Sequence, residues 1–164
     1  MMNITNKILL SKPVKKLPQR IVYKYYKPNE GYNYRMFSIK TKEVIGNMRA
    51  FPEFVTNSKY YPDMQGYFSY HIANLVSKLK PKQRVGTQLI NLAKIESLRD
   101  KKCQGRINLI ATTLKSDSPI FYAKQGFKSQ HPSFKNIQLY TEGKKNFIPL
   151  MHMYLPIEKI SKTI

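Results

Sequence analysis

One stretch constrains this chain more than any other. Tyr67 to Leu79 reads as an extended segment and ends at Pro81, because a proline disfavours helix in the residue before it. Val85 to Arg99 then runs without proline and, after Gly86, without glycine. Leu89, Leu92 and Ala93 recur at helical spacing from Val85. Ile90, Ile95 and Leu98 fall outside that stripe, so the helix is expected to be buried on more than one side. Gln104-Gly105 closes it. Ile107-Asn108-Leu109-Ile110-Ala111-Thr112 follows, an apolar run of the kind found inside a sheet. A strand, a crossover helix and a strand in this order imply a parallel pair.

The flanking segments extend the plan. Ile21 to Tyr26 is rich in β-branched and aromatic residues and reads as a strand. Pro28-Asn29-Glu30-Gly31 breaks it. Tyr34 to Lys40 reads as a second strand, Thr41-Lys42-Glu43 as a hairpin connection, and Val44 to Phe51 as a third strand with Gly46 at a possible bulge. Asp117-Ser118-Pro119 is a helix start, with a capping oxygen and an early proline. Gly126 suits its stop, and Phe127 begins another strand. A short strand is expected at 137–140, and a last one from Phe147 to Leu155. The fold class is therefore α/β (α+β), a mixed and mostly antiparallel sheet with flanking helices. Residues 1–18 are basic, carry Pro13 and Pro18, and read as an arm. Residues 19–158 read as a single domain, for which 164 residues leave ample core.

Composition narrows the partners. The 29 basic and 9 acidic residues give a formal charge of +20. That balance favours anions: nucleic acid, a phosphorylated cofactor, or another polyanion. The lysines are scattered rather than gathered in one run, as a purely compositional excess would also produce. Cys103 is the one cysteine, so neither a disulfide framework nor a cysteine zinc cluster is expected. A lone thiol fits a reducing cytoplasm. No apolar run approaches the roughly 18 residues of a membrane span, and the first ten residues lack the apolar core of a signal peptide. The spacing of His, Asp and Glu suggests no metal site.

The loop Lys80-Pro81-Lys82-Gln83-Arg84-Val85-Gly86 joins the extended segment to the helix. A helix start offers unpaired N–H groups and a partial positive charge, and Gly86 allows close backbone approach to an anion. Lys82 and Arg84 add charge.

With Leu89-Ile90 after that loop and Phe121-Tyr122-Ala123-Lys124-Gln125-Gly126-Phe127 downstream, the segment from Ile72 to Phe127 resembles the core of the GNAT superfamily of acyltransferases. The two motifs come in the family's order, with the 107–112 strand between them. The resemblance implies an acyl-CoA N-acyltransferase fold with a splayed central parallel strand pair. It implies N-acetylation of a primary amine by direct transfer from acetyl-CoA. Leu75 and Val76, with Asn74, match the strand positions whose backbone pairs with the pantetheine arm. Lys82, Gln83, Arg84, Val85, Gly86 and Thr87 match the pyrophosphate loop. Lys115 takes a cofactor-contacting position usually held by Asn. Tyr122 matches the acid that protonates the departing thiolate, as a phenol protonated at neutral pH is able to do.

The family's acidic base near the start of the fourth strand has no counterpart between Asp63 and Glu96. His71 is the candidate base on that strand, with Glu53 and a water chain as alternatives. His131 and His152 are given no role. Arg84 stands where the family's first loop glycine is expected, and Pro81 where it has Gln or Arg. Lys27 to Asn33 is much shorter than the family's usual helical pair, which leaves the acceptor side open to a small molecule or a protein. The competing reading is a GNAT-like scaffold without catalysis that binds nucleic acid or the ribosome through its basic surface.

Overall fold

Alternation of buried and half-exposed residues builds the sheet. The structure is a computed structural model describing residues 3–9, 19–56, 59–112, 118–131, 134 and 150–155. Its elements are β1 (Asn3–Leu9), β2 (Arg20–Lys27), β3 (Gly31–Ser38), β4 (Val44–Phe54), β5 (Phe68–Ser77), α1 (Val85–Arg99), β6 (Ile107–Thr112), α2 (Ser118–Lys124) and β7 (Leu150–Leu155). The seven strands are ordered as they occur in the chain. The sheet is mixed with one parallel pair, as the crossover predicts. The chain clusters into two compact units, Met1–Phe51 with Ile72–Ala93, and Pro52–His71 with Lys94–Ile164.

In the first unit, β1, β2, β3 and β4 pair antiparallel in succession. The arm expected over residues 1–18 thus contains a strand, Asn3–Leu9. The second strand begins at Gly31 rather than Tyr34. Gly31 has φ +83, and a Cβ there would meet the Phe51 Cβ at 2.7 Å. Glycine therefore lets the hairpin close directly into the ladder, with Lys27 opposite Gly31. Between β3 and β4 the register shifts after Met36, which pairs with Gly46 while Phe37 pairs with Val44. The bulge therefore falls at Ile45, one residue before the expected Gly46, which stays paired and lies under α1. A Cβ on Gly46 would meet Val85 Cγ1 at 2.5 Å. Val22, Tyr34, Met36, Met48 and Ala50 share this face with Val85, Leu89, Ile90, Leu92 and Ala93 of α1, all buried. Each large side chain among them contributes about 1.5–3 kcal/mol by leaving water, enough to fix a helix whose apolar face is broad rather than sharp. Arg20 is fully buried there, donating from Nη1 to Gln88 Oε1.

In the second unit, β6 and β7 pair antiparallel, with Leu109 opposite Met153 and Ala111 opposite Met151. These four side chains are buried. The other face carries Asn108, Ile110 and His152, and Ile110 is 43% exposed, so β6 is not buried on both faces as its apolar run suggests. Arg106 fastens the turn after α1, donating from Nε to the Phe68 carbonyl and from Nη2 to the Lys102 carbonyl. α2 ends at Lys124 and Gly126 follows with φ +99, a left-handed C-terminal cap. The expected strand at Phe127 is one bridge, Lys128 opposite Tyr154. The last strand starts at Leu150 rather than Phe147. The expected strand at 137–140 lies outside the described residues.

Candidate active site and cofactor loop

Residues of the second unit from four strands form one polar cluster. β4 brings Glu53, next to its last residue, β5 brings His71, β6 brings Asn108, and β7 brings His152. Glu53 Oε2 lies 3.5 Å from His71 Nδ1 and accepts from Asn108 Nδ2 at 3.4 Å. The two alternatives for the general base are thus neighbours. Glu53 is 43% exposed at its side chain and His71 15%, so the carboxylate keeps a solvated edge while the imidazole is mostly enclosed. Asn108 is fully buried, and its Oδ1 has no hydrogen-bond partner. A buried acceptor without a donor is uncommon and marks where a donor of a ligand would be satisfied.

Tyr61 extends the cluster. Its hydroxyl shares a 3.0 Å hydrogen bond with His152 Nδ1 and lies 3.4 Å from the Leu109 carbonyl oxygen. Burial pushes the Tyr61 phenol up to about 12; a hydrogen bond from Asn108 opposes that and the Glu53 charge adds to it. The phenol therefore stays protonated at neutral pH. Burial, then the charge of His71, lower the pKa of His152. Tyr60 stacks flat on the His152 ring at 3.9 Å and 13°, closing one side. A cleft of about 380 Å³ opens beside this stack, lined by Lys59, Tyr60, Ser129, His131, Leu150 and His152 among others.

Tyr122 is placed by α2. It is 8% exposed, with the rings of Phe121 and Phe127 at 5.1 and 5.7 Å. Burial pushes its phenol up to about 12 as well. α2 is held by buried Lys94, whose Nζ donates to the Gln125 carbonyl at 3.3 Å, where a cation complements the helix C-terminus.

The loop residues lie together in the first unit. Pro81–Gln83 form one 3-10 turn, and Arg84 follows with φ +56 and ψ +28, its N–H bonded to the Pro81 carbonyl. This left-handed conformation is the one glycine adopts at no steric cost, which explains what a glycine would do at this point. The Arg84 side chain is exposed, as is Lys82, so its bulk stays out of the turn. Val85 is buried and anchors the helix, while Gly86 and Thr87 lie in its first turn, whose N–H groups have no acceptor within the helix. Leu75 is half-buried and Val76 is 40% exposed, both in the second half of β5. Lys115 lies outside the described residues.

The sequence left out Tyr61, Asn108 and His152. Tyr61 and His152 are 91 positions apart, and no periodicity links a loop tyrosine to a terminal strand. Asn108 sits in an apolar run, where one polar residue was the available signal. Among the described residues no group of His, Cys, Asp and Glu is arranged to hold a metal ion.

The strand order and the crossover helix give an α+β fold, a mixed sheet with one parallel pair and flanking helices, and the second motif lies on α2. No family model matches the chain, and no curated protein matches it. Solved structures do. A bacterial toxin matches with TM-score 0.54 at 15% identity, over 80% of this chain and 70% of that one. Arabidopsis thaliana Naa50, in complex with the bisubstrate analogue CoA-Ac-MVNAL, matches with TM-score 0.48 at 20% identity, over 76% and 72%. Chaetomium thermophilum Naa20, also with a bisubstrate analogue, matches with TM-score 0.48 at 12% identity, over 79% and 68%. At 15% identity the likeness to the toxin is one of fold alone.

Proposed function

We propose that the chain is an N-acetyltransferase that moves an acetyl group from acetyl-CoA directly to a primary amine. The observation that carries this reading is the cluster of Glu53, His71 and Asn108. It offers a carboxylate, an imidazole and an orphaned amide oxygen. Three acceptor groups suit an incoming ammonium, which must be held and then deprotonated before its nitrogen is a nucleophile.

Acetyl-CoA supplies the acetyl group as a thioester, whose carbonyl carbon the amine nitrogen attacks as the carbon–sulfur bond breaks. His71, oriented by Glu53, removes the amine proton. Tyr122 gives its proton to the departing sulfur. Burial pushes the Tyr122 phenol up to about 12, so it holds its proton at neutral pH and gives it only to a strong base such as an alkyl thiolate. The helix N-terminus at Val85, with exposed Lys82 and Arg84, is suited to a pyrophosphate.

Titration calorimetry with acetyl-CoA is the first test, and absence of both heat and thermal shift at saturation sinks the proposal. Given binding, Tyr122→Phe is expected to bind acetyl-CoA normally and to transfer about 10²-fold more slowly to an amine panel. Unchanged turnover removes Tyr122 from the mechanism. Glu53→Gln with His71→Asn should abolish pH-dependent transfer while sparing acetyl-CoA affinity.

A further inference from the structure

A second cleft lies in the first unit, about 490 Å³ in volume, and its charged lining is given no role in the proposed transfer, although Asn74 at its edge is one of the strand positions matched to the pantetheine arm. It opens on the face of β2, β3 and β4 opposite Val22, Met36 and Gly46. The ladder register fixes what that face displays. Tyr23, Arg35 and Asn47 align across the three strands; Tyr25, Asn33 and Arg49 form the next row. Arginine and asparagine thus alternate on β3 and β4, each arginine diagonal to the other. Lys27 adds a third cation at the end of β2.

The charges are unbalanced. Among the described residues Glu30 is the only carboxylate lining the cleft, and it is engaged with Lys27 at 3.6 Å. Arg35 and Arg49 have no carboxylate partner among the described residues. Arg35 is exposed, its guanidinium 5.3 Å from the Tyr25 ring centre. Arg49 Nε is buried and makes no hydrogen bond. A buried guanidinium N–H without an acceptor is a donor in want of one. Half-exposed Tyr23 and Phe51 flank the rows on the same face.

We propose that this face binds single-stranded nucleic acid, with Arg35 and Arg49 on successive phosphates, the Asn33 and Asn47 amides between them, and the half-exposed rings of Tyr23, which meets Phe37 edge-on at 5.5 Å, and Phe51 at the flanks for bases. Cations tracking a backbone beside aromatic rings on an open sheet are what unpaired strands require. Diagonal positions on neighbouring strands are about 7–8 Å apart, a spacing suited to adjacent phosphates of an extended strand. An acidic peptide would meet the same charge, but it makes no use of the aromatic flanks. The overall charge of +20 draws a polyanion toward the molecule.

Fluorescence anisotropy with a labelled single-stranded RNA of about twelve nucleotides tests this, since such platforms span about 4–16. The full chain is expected to bind, with affinity falling steeply as salt rises. Arg35→Gln with Arg49→Gln should weaken binding at least about tenfold and flatten the log–log salt slope by about 1.4, the share of two phosphate contacts on a single strand. Lys40→Gln with Lys42→Gln, on the exposed β3–β4 turn, should change affinity less than about threefold, as distant surface charges do. Equal losses in the two pairs, or displacement of the RNA by polyglutamate at matched charge, overturn the proposal. So does a mononucleotide that binds as tightly as the oligonucleotide, which would make the cleft a small-ligand site. If the double variant fails to fold, Arg35→Gln alone carries the test, because its side chain is exposed.

Discussion

Arg84 is held in a conformation that costs an L-residue about 1–2 kcal/mol, while glycine there loses about 0.5–1 kcal/mol in chain entropy. Arg84→Gly is therefore expected to leave stability unchanged or raise it by up to about 1.5 kcal/mol, measured by urea unfolding. Arg84→Val, β-branched in the same conformation, should lower it by about 1–2 kcal/mol despite full solvent access. If Arg84 also pairs with a phosphate of acetyl-CoA, Arg84→Gly loses affinity while gaining stability, so the two readouts move in opposite directions. The position was legible as a departure from a motif; its backbone conformation was not, because no local pattern announces a left-handed arginine. Glu53 and His71 show a related limit. Each was visible as a base by type, yet their 3.5 Å approach depends on how β4 and β5 are placed in the sheet.

At the scale of elements, α1 was legible to the residue because proline before it, unbroken periodicity within it and Gln104-Gly105 after it agree. Its seat was not. The helix rests on Gly46, where a Cβ would meet Val85 Cγ1 at 2.5 Å and press on Leu89 Cδ1 at 3.3 Å. Gly46→Ala is expected to cost about 1–3 kcal/mol, as overpacking does. Val85→Ala should recover part of that loss in the double variant, a coupling that chemical denaturation would reveal. If Gly46→Ala is neutral and shows no coupling to Val85, the helix is not seated there. The strands at the chain ends were less legible. Asn3–Leu9 has mixed polarity and becomes a strand by pairing with β2, a tertiary effect that overrides weak local preference.

For the whole molecule, pH is the lever that the cluster exposes. The pKa of His152 is lowered from 6.5, so the unfolded chain binds its proton more readily than the native one. Its contribution to stability is present above about pH 6.5 and is lost as pH falls through the lowered native value. Thermal unfolding across pH 5 to 7.5 should show this decline, and His152→Gln should flatten it; an unchanged slope in the variant means His152 is not its source. No helix among the described residues is long and apolar enough to cross a membrane.

The hairpin at Pro28-Asn29-Glu30 has a further consequence. Lys27 meets Gly31 across it, and every later pair in β2 and β3 counts from there. Side chains alternate faces, so inserting one residue in this turn would send Arg35 and Asn33 toward the core and turn Tyr34 and Met36 to water. The recognition surface and the hydrophobic core are two readings of one count. A chain that loses the count loses both, and no partially folded form with this hairpin out of step can keep the cleft's charge pattern.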